Sequence, residues 1–134
     1  MRGNAAQDRL AELRNGLMRV HKALVESERS VYERDVARIA SPGQMLNLLL
    51  NAPWFVWLRQ LSELVVLIDE ALSDHENPAG GPDAERFLAQ ARGLLTPAEY
   101  GDGFNRRYFE ALQRDPDVVL AHGAMMRLLA NLEG

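Results

Sequence analysis

The sequence predicts an all-α protein, a single-domain up-down bundle of four main helices with a long first helix and short accessory helical turns. Apolar residues recur at i, i+3, i+4 and i+7 over long stretches, which is the spacing of one helix face. Proline and glycine separate these stretches. No segment shows the period-2 alternation of a half-buried strand. At 134 residues the chain can bury one self-sufficient core, so we expect residues 1–134 to form one domain.

The first half of the chain is predicted to hold one very long helix, one short helix and a second long helix. The apolar pattern of the first helix runs over residues 5–39. Ser41 and Gln44 have the spacing of a capping box, which predicts a new helix start and a short helix over residues 44–50. A proline then opens the third predicted helix, over residues 53–73.

The second half begins with a segment rich in proline and glycine, residues 74–82, which has the composition of a mobile loop. Residues 83–95 place five apolar side chains on one helix face. Residues 96–99 have the pattern of another capping box and predict a single helical turn. Helices are then expected over residues 104–114 and 116–132, the last one starting at a proline.

The charge pattern argues against a nucleic-acid partner. The formal net charge is −4, and the first forty residues carry eight basic against six acidic residues. This excess is too small for a surface that follows a phosphate backbone. No segment combines basic residues with the aromatic platforms that bind single strands.

The composition also predicts a cytoplasmic protein without a membrane span. The longest apolar run, residues 53–72, contains four charged side chains, and the N-terminus lacks the apolar stretch of a signal peptide. The absence of cysteine excludes disulfides, thiolate metal sites and cysteine nucleophiles. Fourteen of the fifteen basic residues are arginine, which suggests a bacterial source with a high GC content.

Three ionisable residues, His21, Glu28 and Asp35, follow one another at intervals of seven in the middle of the apolar stripe of the first helix. A charge that faces the interior is costly unless it is paired or ligated. On the later helices, Asp69 lies near the apolar side and His122 lies in the middle of the stripe. Two histidines and up to three carboxylates are therefore expected to face a common interior.

Three interpretations of these inward residues stay open. In the first they form a structural network, with Glu28 or Asp69 answered by His122, Arg106 or Arg107. In the second they hold a divalent metal or a small ligand between helices, with His21, Glu28, Asp69 and His122 as the candidate ligands. In the third, part of the stripe faces a partner subunit, and the polar residues pair across that interface.

The metal interpretation and an enzymatic function both lack a specific motif. The Glu-x-x-His pairs of di-iron bundles are absent, as are His-x-x-x-His and His-Glu-x-x-His. A spacing of seven residues separates His21 and Glu28 by about 10 Å along the helix, so they cannot both ligate one ion. Ser62 could be combined with His122 and Asp69, but it lies within a helix and has no nucleophile elbow. We therefore assign no catalytic residue and no required cofactor.

Three stretches together resemble an uncharacterised family of small bacterial helical-bundle proteins. They are residues 17–29 (LMRVHKALVESER), 53–70 (PWFVWLRQLSELVVLIDE) and 107–123 (RYFEALQRDPDVVLAHG). The resemblance implies a helical fold and no particular activity. The first histidine is also similar to that of bundle metalloproteins of the damage-inducible type. Their additional histidines are absent here, so no ligand is transferred.

The function predicted from the sequence is protein interaction, most simply self-association as a homodimer. About 35 residues of helix at 1.5 Å each span roughly 50 Å, longer than the remaining helices are expected to cover. The alternative is a helical bundle that binds a metal or a small ligand at an inter-helix site of histidine and carboxylate side chains.

Overall fold

The computed structural model describes residues 5–133, and within them it confirms the all-α fold, with six α-helices and no strand. The helices are α1 (Ala5–Asp35), α2 (Pro42–Asn51), α3 (Arg59–Ser73), α4 (Gly81–Leu94), α5 (Phe104–Arg114) and α6 (Pro116–Glu133). A 3-10 turn at Val56–Leu58 precedes α3. The four longest helices are α1, α6, α3 and α4, as the sequence predicts. Their up-down order stays a prediction.

Helix α1 forms the centre of the molecule, with α3, α4 and α6 packed around it. Its apolar stripe is fully buried, because the side chains three and four residues apart all face the other helices. The buried residues of this stripe are Leu10, Leu13, Leu17, Val20 and Leu24. Later in the chain, α5 and the 3-10 turn also pack against α1. The core therefore extends along most of the longest helix.

The first half of the predicted capping box at the start of α2 is present. The Ser41 Oγ accepts a hydrogen bond from the Gln44 amide at 3.1 Å, which satisfies a backbone N–H group that a helix start otherwise leaves unpaired. The Gln44 Oε1 accepts its hydrogen bond from the Ala40 amide at 2.7 Å, one residue before the Ser41 amide that a capping box requires. Helix α2 accordingly begins at Pro42, two residues before the predicted start.

Two predicted boundaries on either side of α2 are wrong. Helix α1 ends at Asp35, not residue 39, because the chain turns so that the Ile39 amide donates to Glu33 Oε2 at 3.1 Å and Ile39 becomes buried. Helix α3 begins at Arg59, not Pro53, because the preceding residues turn to bury Phe55 against the ring of Tyr32.

The segment between α3 and α4 is shorter than expected, and the turn after α4 is not helical. Gly81 and Pro82 already belong to α4, and Ala79 is buried, so part of the predicted loop packs against the core. The mobility of residues 74–82 stays a prediction. Thr96 does not cap a new turn, because its hydroxyl donates back to the Arg92 carbonyl at 2.7 Å.

In the described part of the chain, no helix combines the length and the apolar character needed to cross a membrane.

Candidate functional site

An ion pair with a buried carboxylate joins α1 to the end of α5. The Arg114 Nη2 donates to Glu28 Oε1 at 2.5 Å, and the Arg114 Nε donates to Ser27 Oγ at 3.2 Å. Ser27 and Glu28 are the two polar residues that α1 buries. Glu28 therefore faces the interior, as the sequence predicts, and a guanidinium from another helix neutralises it.

This ion pair forms one side of a cleft of about 380 Å³. Helix α1 contributes Glu28 and Val31, and the segment before the 3-10 turn contributes Pro53 and Trp54. Helix α5 contributes Arg107, Glu110 and Arg114, which lie on one face because they are three and four residues apart. The cleft thus combines two guanidinium groups, two carboxylates and an apolar wall.

A second buried polar pair links α5 and α6. The Tyr108 hydroxyl lies 2.6 Å from the His122 Nδ1, and Tyr108 is fully buried. Burial raises the pKa of Tyr108 and lowers the pKa of His122, so both groups are neutral near pH 7. The hydroxyl donates to Nδ1 when the imidazole proton is on Nε2, and Nδ1 donates to the hydroxyl oxygen in the other tautomer.

The remaining inward candidates lie elsewhere. Asp69 accepts a hydrogen bond from the Arg14 Nε at 2.9 Å, with both side chains partly exposed. Burial lowers the pKa of His21, which has no hydrogen bond among the residues described. Asp35 is exposed and pairs with Arg34 at 2.8 Å, and the hydrogen bond from this guanidinium lowers the pKa of Asp35.

The structure therefore gives three of the four candidate ligands separate partners, and the fourth, His21, lies apart from them. Glu28 pairs with Arg114, Asp69 with Arg14, and His122 with Tyr108. Within residues 5–133, no three histidine, aspartate or glutamate side chains lie close enough together to hold a metal ion. The arrangement consists of three polar pairs between helices and one mixed-charge cleft, which the Glu28–Arg114 pair borders.

The partners expected from the sequence differ from the observed ones. Neither Arg106 nor Arg107 pairs with Glu28. Arg106 lies 3.8 Å from Glu110 and donates to the Glu99 carbonyl, whereas Arg107 lines the cleft. Sequence reasoning missed Arg114 because a basic residue in the last turn of a helix is usually explained by the helix dipole.

The two tryptophans lie next to this region. Trp54 packs edge-on against Tyr32, with the ring centroids 5.6 Å apart, and Trp57 packs against Phe104 at 5.1 Å. The indole Nε1 atoms of both are inaccessible and have no hydrogen-bond partner in the described chain. Any exposed part of the Trp54 side chain is therefore hydrocarbon.

Comparison with known proteins gives no match of this chain to a protein-family model, to a curated protein or to a solved structure. The resemblance to an uncharacterised bacterial family stays a prediction.

Proposed function

We propose that this protein is an interaction module that associates with itself as a homodimer through one apolar face. This apolar face consists of Leu46 and Leu50 on α2, Val56 in the 3-10 turn, and Val66 and Leu67 on α3. All five aliphatic side chains are between 44% and 57% exposed. This is the observation that carries the proposal, because exposed apolar side chains grouped on elements that pack together mark an interaction site on a folded domain.

Local geometry supports the continuity of the apolar face. Leu46 and Leu50 are four residues apart and so lie on one side of α2. The Arg59 Nη2 donates to the Leu50 carbonyl at 2.7 Å, which ties the end of α2 to the start of α3. Val66 and Leu67 lie seven and eight residues after Arg59, so they continue the same side of α3.

The charges that flank the apolar face suit a second copy of the same chain. Arg59 begins α3, and Glu70 follows eleven residues later on the same side of the helix. A two-fold axis that pairs α3 with an antiparallel copy places each Arg59 opposite the Glu70 of the other subunit. Val66 and Leu67 then lie between these two ion pairs, with the exposed Glu63 beside them. Ion pairs at the edge of such a surface are typical of the polar rim of an interface.

The length of α1 does not support the proposal, although the sequence suggested that it would. The helix has 31 residues, about 46 Å at 1.5 Å per residue. Near its start the Arg9 Nη2 donates to the Leu132 carbonyl at 2.8 Å, and near its end Tyr32 packs against Trp54. The other helices of the same chain therefore cover most of α1.

The proposed setting is the bacterial cytoplasm. The arginine bias of the composition supports the bacterial source, and the four charges within residues 53–72 support a protein that stays outside the membrane.

The test is the mass of the protein in solution across micromolar concentrations, measured by sedimentation equilibrium. The parent protein is expected at twice the mass of the chain. Leu67→Glu is expected to sediment as a monomer, because two-fold symmetry brings a charge from each subunit into the apolar centre. Circular dichroism verifies that the variant keeps its helices.

Leu120→Glu is the matched control, because Leu120 is 70% exposed on α6 and lies outside the apolar face. It is expected to remain a dimer. A parent protein that is monomeric throughout the range would refute the proposal. Dissociation by Leu120→Glu instead of Leu67→Glu would refute it as well, because the contact would then lie on α6.

A further inference from the structure

We infer that the cleft between α1, α5 and Trp54 is a binding site for a small organic monocarboxylate with an apolar or aromatic body. The cleft shares no residue with the apolar face, so this inference goes beyond self-association. Its volume of about 380 Å³ falls in the range of small-molecule sites, which is roughly 300–1,000 Å³.

One guanidinium of the cleft has no ion-pair partner of its own. Arg114 neutralises Glu28 at 2.5 Å, and Glu110, which also lines the cleft, lies 3.8 Å from Arg106. Arg107 lines the cleft as well, yet its side chain has no hydrogen bond or ion pair in the part of the chain described. A ligand with a single negative charge would give the Arg107 guanidinium a partner.

The donors that remain free match a carboxylate. Arg114 uses its Nε and Nη2 for Ser27 and Glu28, and its Nη1 makes no hydrogen bond within residues 5–133. The two existing bonds hold this guanidinium in place before any ligand arrives, which lowers the entropy lost on binding. Arg107 presents a planar fork of donors to the same space, and such a fork binds carboxylate oxygens in pairs.

The opposite wall of the cleft selects for an apolar body. Val31 and Pro53 are hydrocarbon, and the inaccessible Nε1 of Trp54 leaves only carbon on the exposed part of that side chain. The contact with Tyr32 at 5.6 Å holds the Trp54 ring in place. An inorganic anion would contact the two arginines but make no apolar contact with this wall. A cation would be repelled by the unpaired Arg107 guanidinium.

The test is a titration with 3-phenylpropionate, followed by calorimetry and by the intrinsic fluorescence of the protein. We expect saturable binding with a change in tryptophan emission, which Trp54→Phe abolishes while calorimetry still detects the ligand. The amine with the same carbon body, 3-phenylpropylamine, is expected not to bind. Inorganic phosphate is expected to bind more weakly than 3-phenylpropionate, because it lacks an apolar body.

Arg107→Gln is the decisive variant, and its dissociation constant is expected to rise about ten- to hundredfold, the usual effect of losing a hydrogen bond to a charged group. Arg107 is exposed, so the variant is expected to fold, and Arg107→Lys is expected to recover part of the affinity. Arg127→Gln changes an equally exposed arginine on α6 and is expected to bind like the parent.

Three results would overturn the inference. One is no binding of 3-phenylpropionate at millimolar concentrations. Another is equal binding of the acid and the amine, which would show that the carboxylate is not recognised. The third is an equal loss of affinity in Arg107→Gln and Arg127→Gln, which would indicate a diffuse charge effect instead of a site.

Discussion

The two members of the Glu28–Arg114 ion pair differ in their access to water. The side chain of Glu28 is 7% exposed, whereas that of Arg114 is 32% exposed. A charge left alone in the interior loses its hydration without compensation, but a charge at the surface regains water. The pair should therefore respond differently according to which partner is removed.

We predict that Arg114→Leu lowers the free energy of unfolding by about 3 kcal/mol, because it leaves the Glu28 carboxylate buried and unpaired. Glu28→Leu is expected to lower it by less than about 1 kcal/mol, because Arg114 turns towards solvent and leucine fills the space. The double variant Glu28→Leu/Arg114→Leu should regain most of the free energy of unfolding that Arg114→Leu alone loses. Urea unfolding measures all three, and equal losses in the two single variants would contradict the argument.

The helical periodicity of α1 predicts that Glu28 faces inward, but no local pattern predicts its partner. Arg114 lies 86 residues away along the chain, and its reach depends on how α5 packs against α1. Asp69 shows the limit of the same reasoning. It lies at the edge of the apolar side of α3, and its side chain is 45% exposed in the pair with Arg14. Sequence thus identifies central positions better than marginal ones.

At the level of elements, α1 and α6 approach each other closely at Gly16. Gly16 is buried on α1, and a Cβ atom added there would lie 2.8 Å from the Met125 Sδ and closer still to Leu128. The absence of a side chain at Gly16 therefore lets the two helices pack tightly. Gly123, on α6 itself, has only the Arg127 Nη1 near its Cβ position, at the ordinary distance of 3.6 Å.

We predict opposite effects of filling these two glycines. Gly16→Val should lower the free energy of unfolding by about 1–3 kcal/mol, because the side chains of Leu128 and the buried Met125 must shift to make room. Gly123→Ala should raise it by about 0.5–1 kcal/mol, because alanine favours a helix interior over glycine. Thermal and urea unfolding compare the variants. A stabilised Gly16→Val would show that α1 and α6 are not in contact at this point.

Some helix boundaries can be predicted from the local sequence, and others depend on tertiary contacts. Ser41 and Gln44 carry their capping chemistry within four residues, so the start of α2 could be located to within two residues. Ile39 continues the apolar period of α1 but is buried from outside the helix, through the turn that Glu33 stabilises. The apolar period alone does not show whether Ile39 continues the helix or is buried after a turn. The predicted end of α1 is wrong for this reason.

At the scale of the whole molecule, folding changes the proton affinity of two histidines on different helices. Burial lowers the pKa of His21 on α1 and of His122 on α6. The folded protein therefore binds fewer protons than the unfolded chain at pH values just below the ordinary histidine pKa of about 6.5. Four carboxylates also have lowered pKa values in the fold. They change the free energy of unfolding only at lower pH, because unfolded carboxylates titrate near pH 4. They are Glu33, Asp35, Asp83 and Glu133.

We predict that the free energy of unfolding is constant between about pH 7 and 9 and decreases as the pH falls from about 6.5 towards 5. Both histidines change the free energy of unfolding in the same direction. A lowered pKa means that the fold favours the neutral imidazole, and protonation at low pH therefore favours the unfolded chain. The double variant His21→Gln/His122→Gln should lose this slope, whereas His75→Gln, which changes an exposed histidine, should keep it. Urea unfolding at half-unit pH steps measures the slope. A stability that increases as the pH falls from 6.5 to 5 would show that the two imidazoles gain a proton on folding, and hence that an anionic partner faces them.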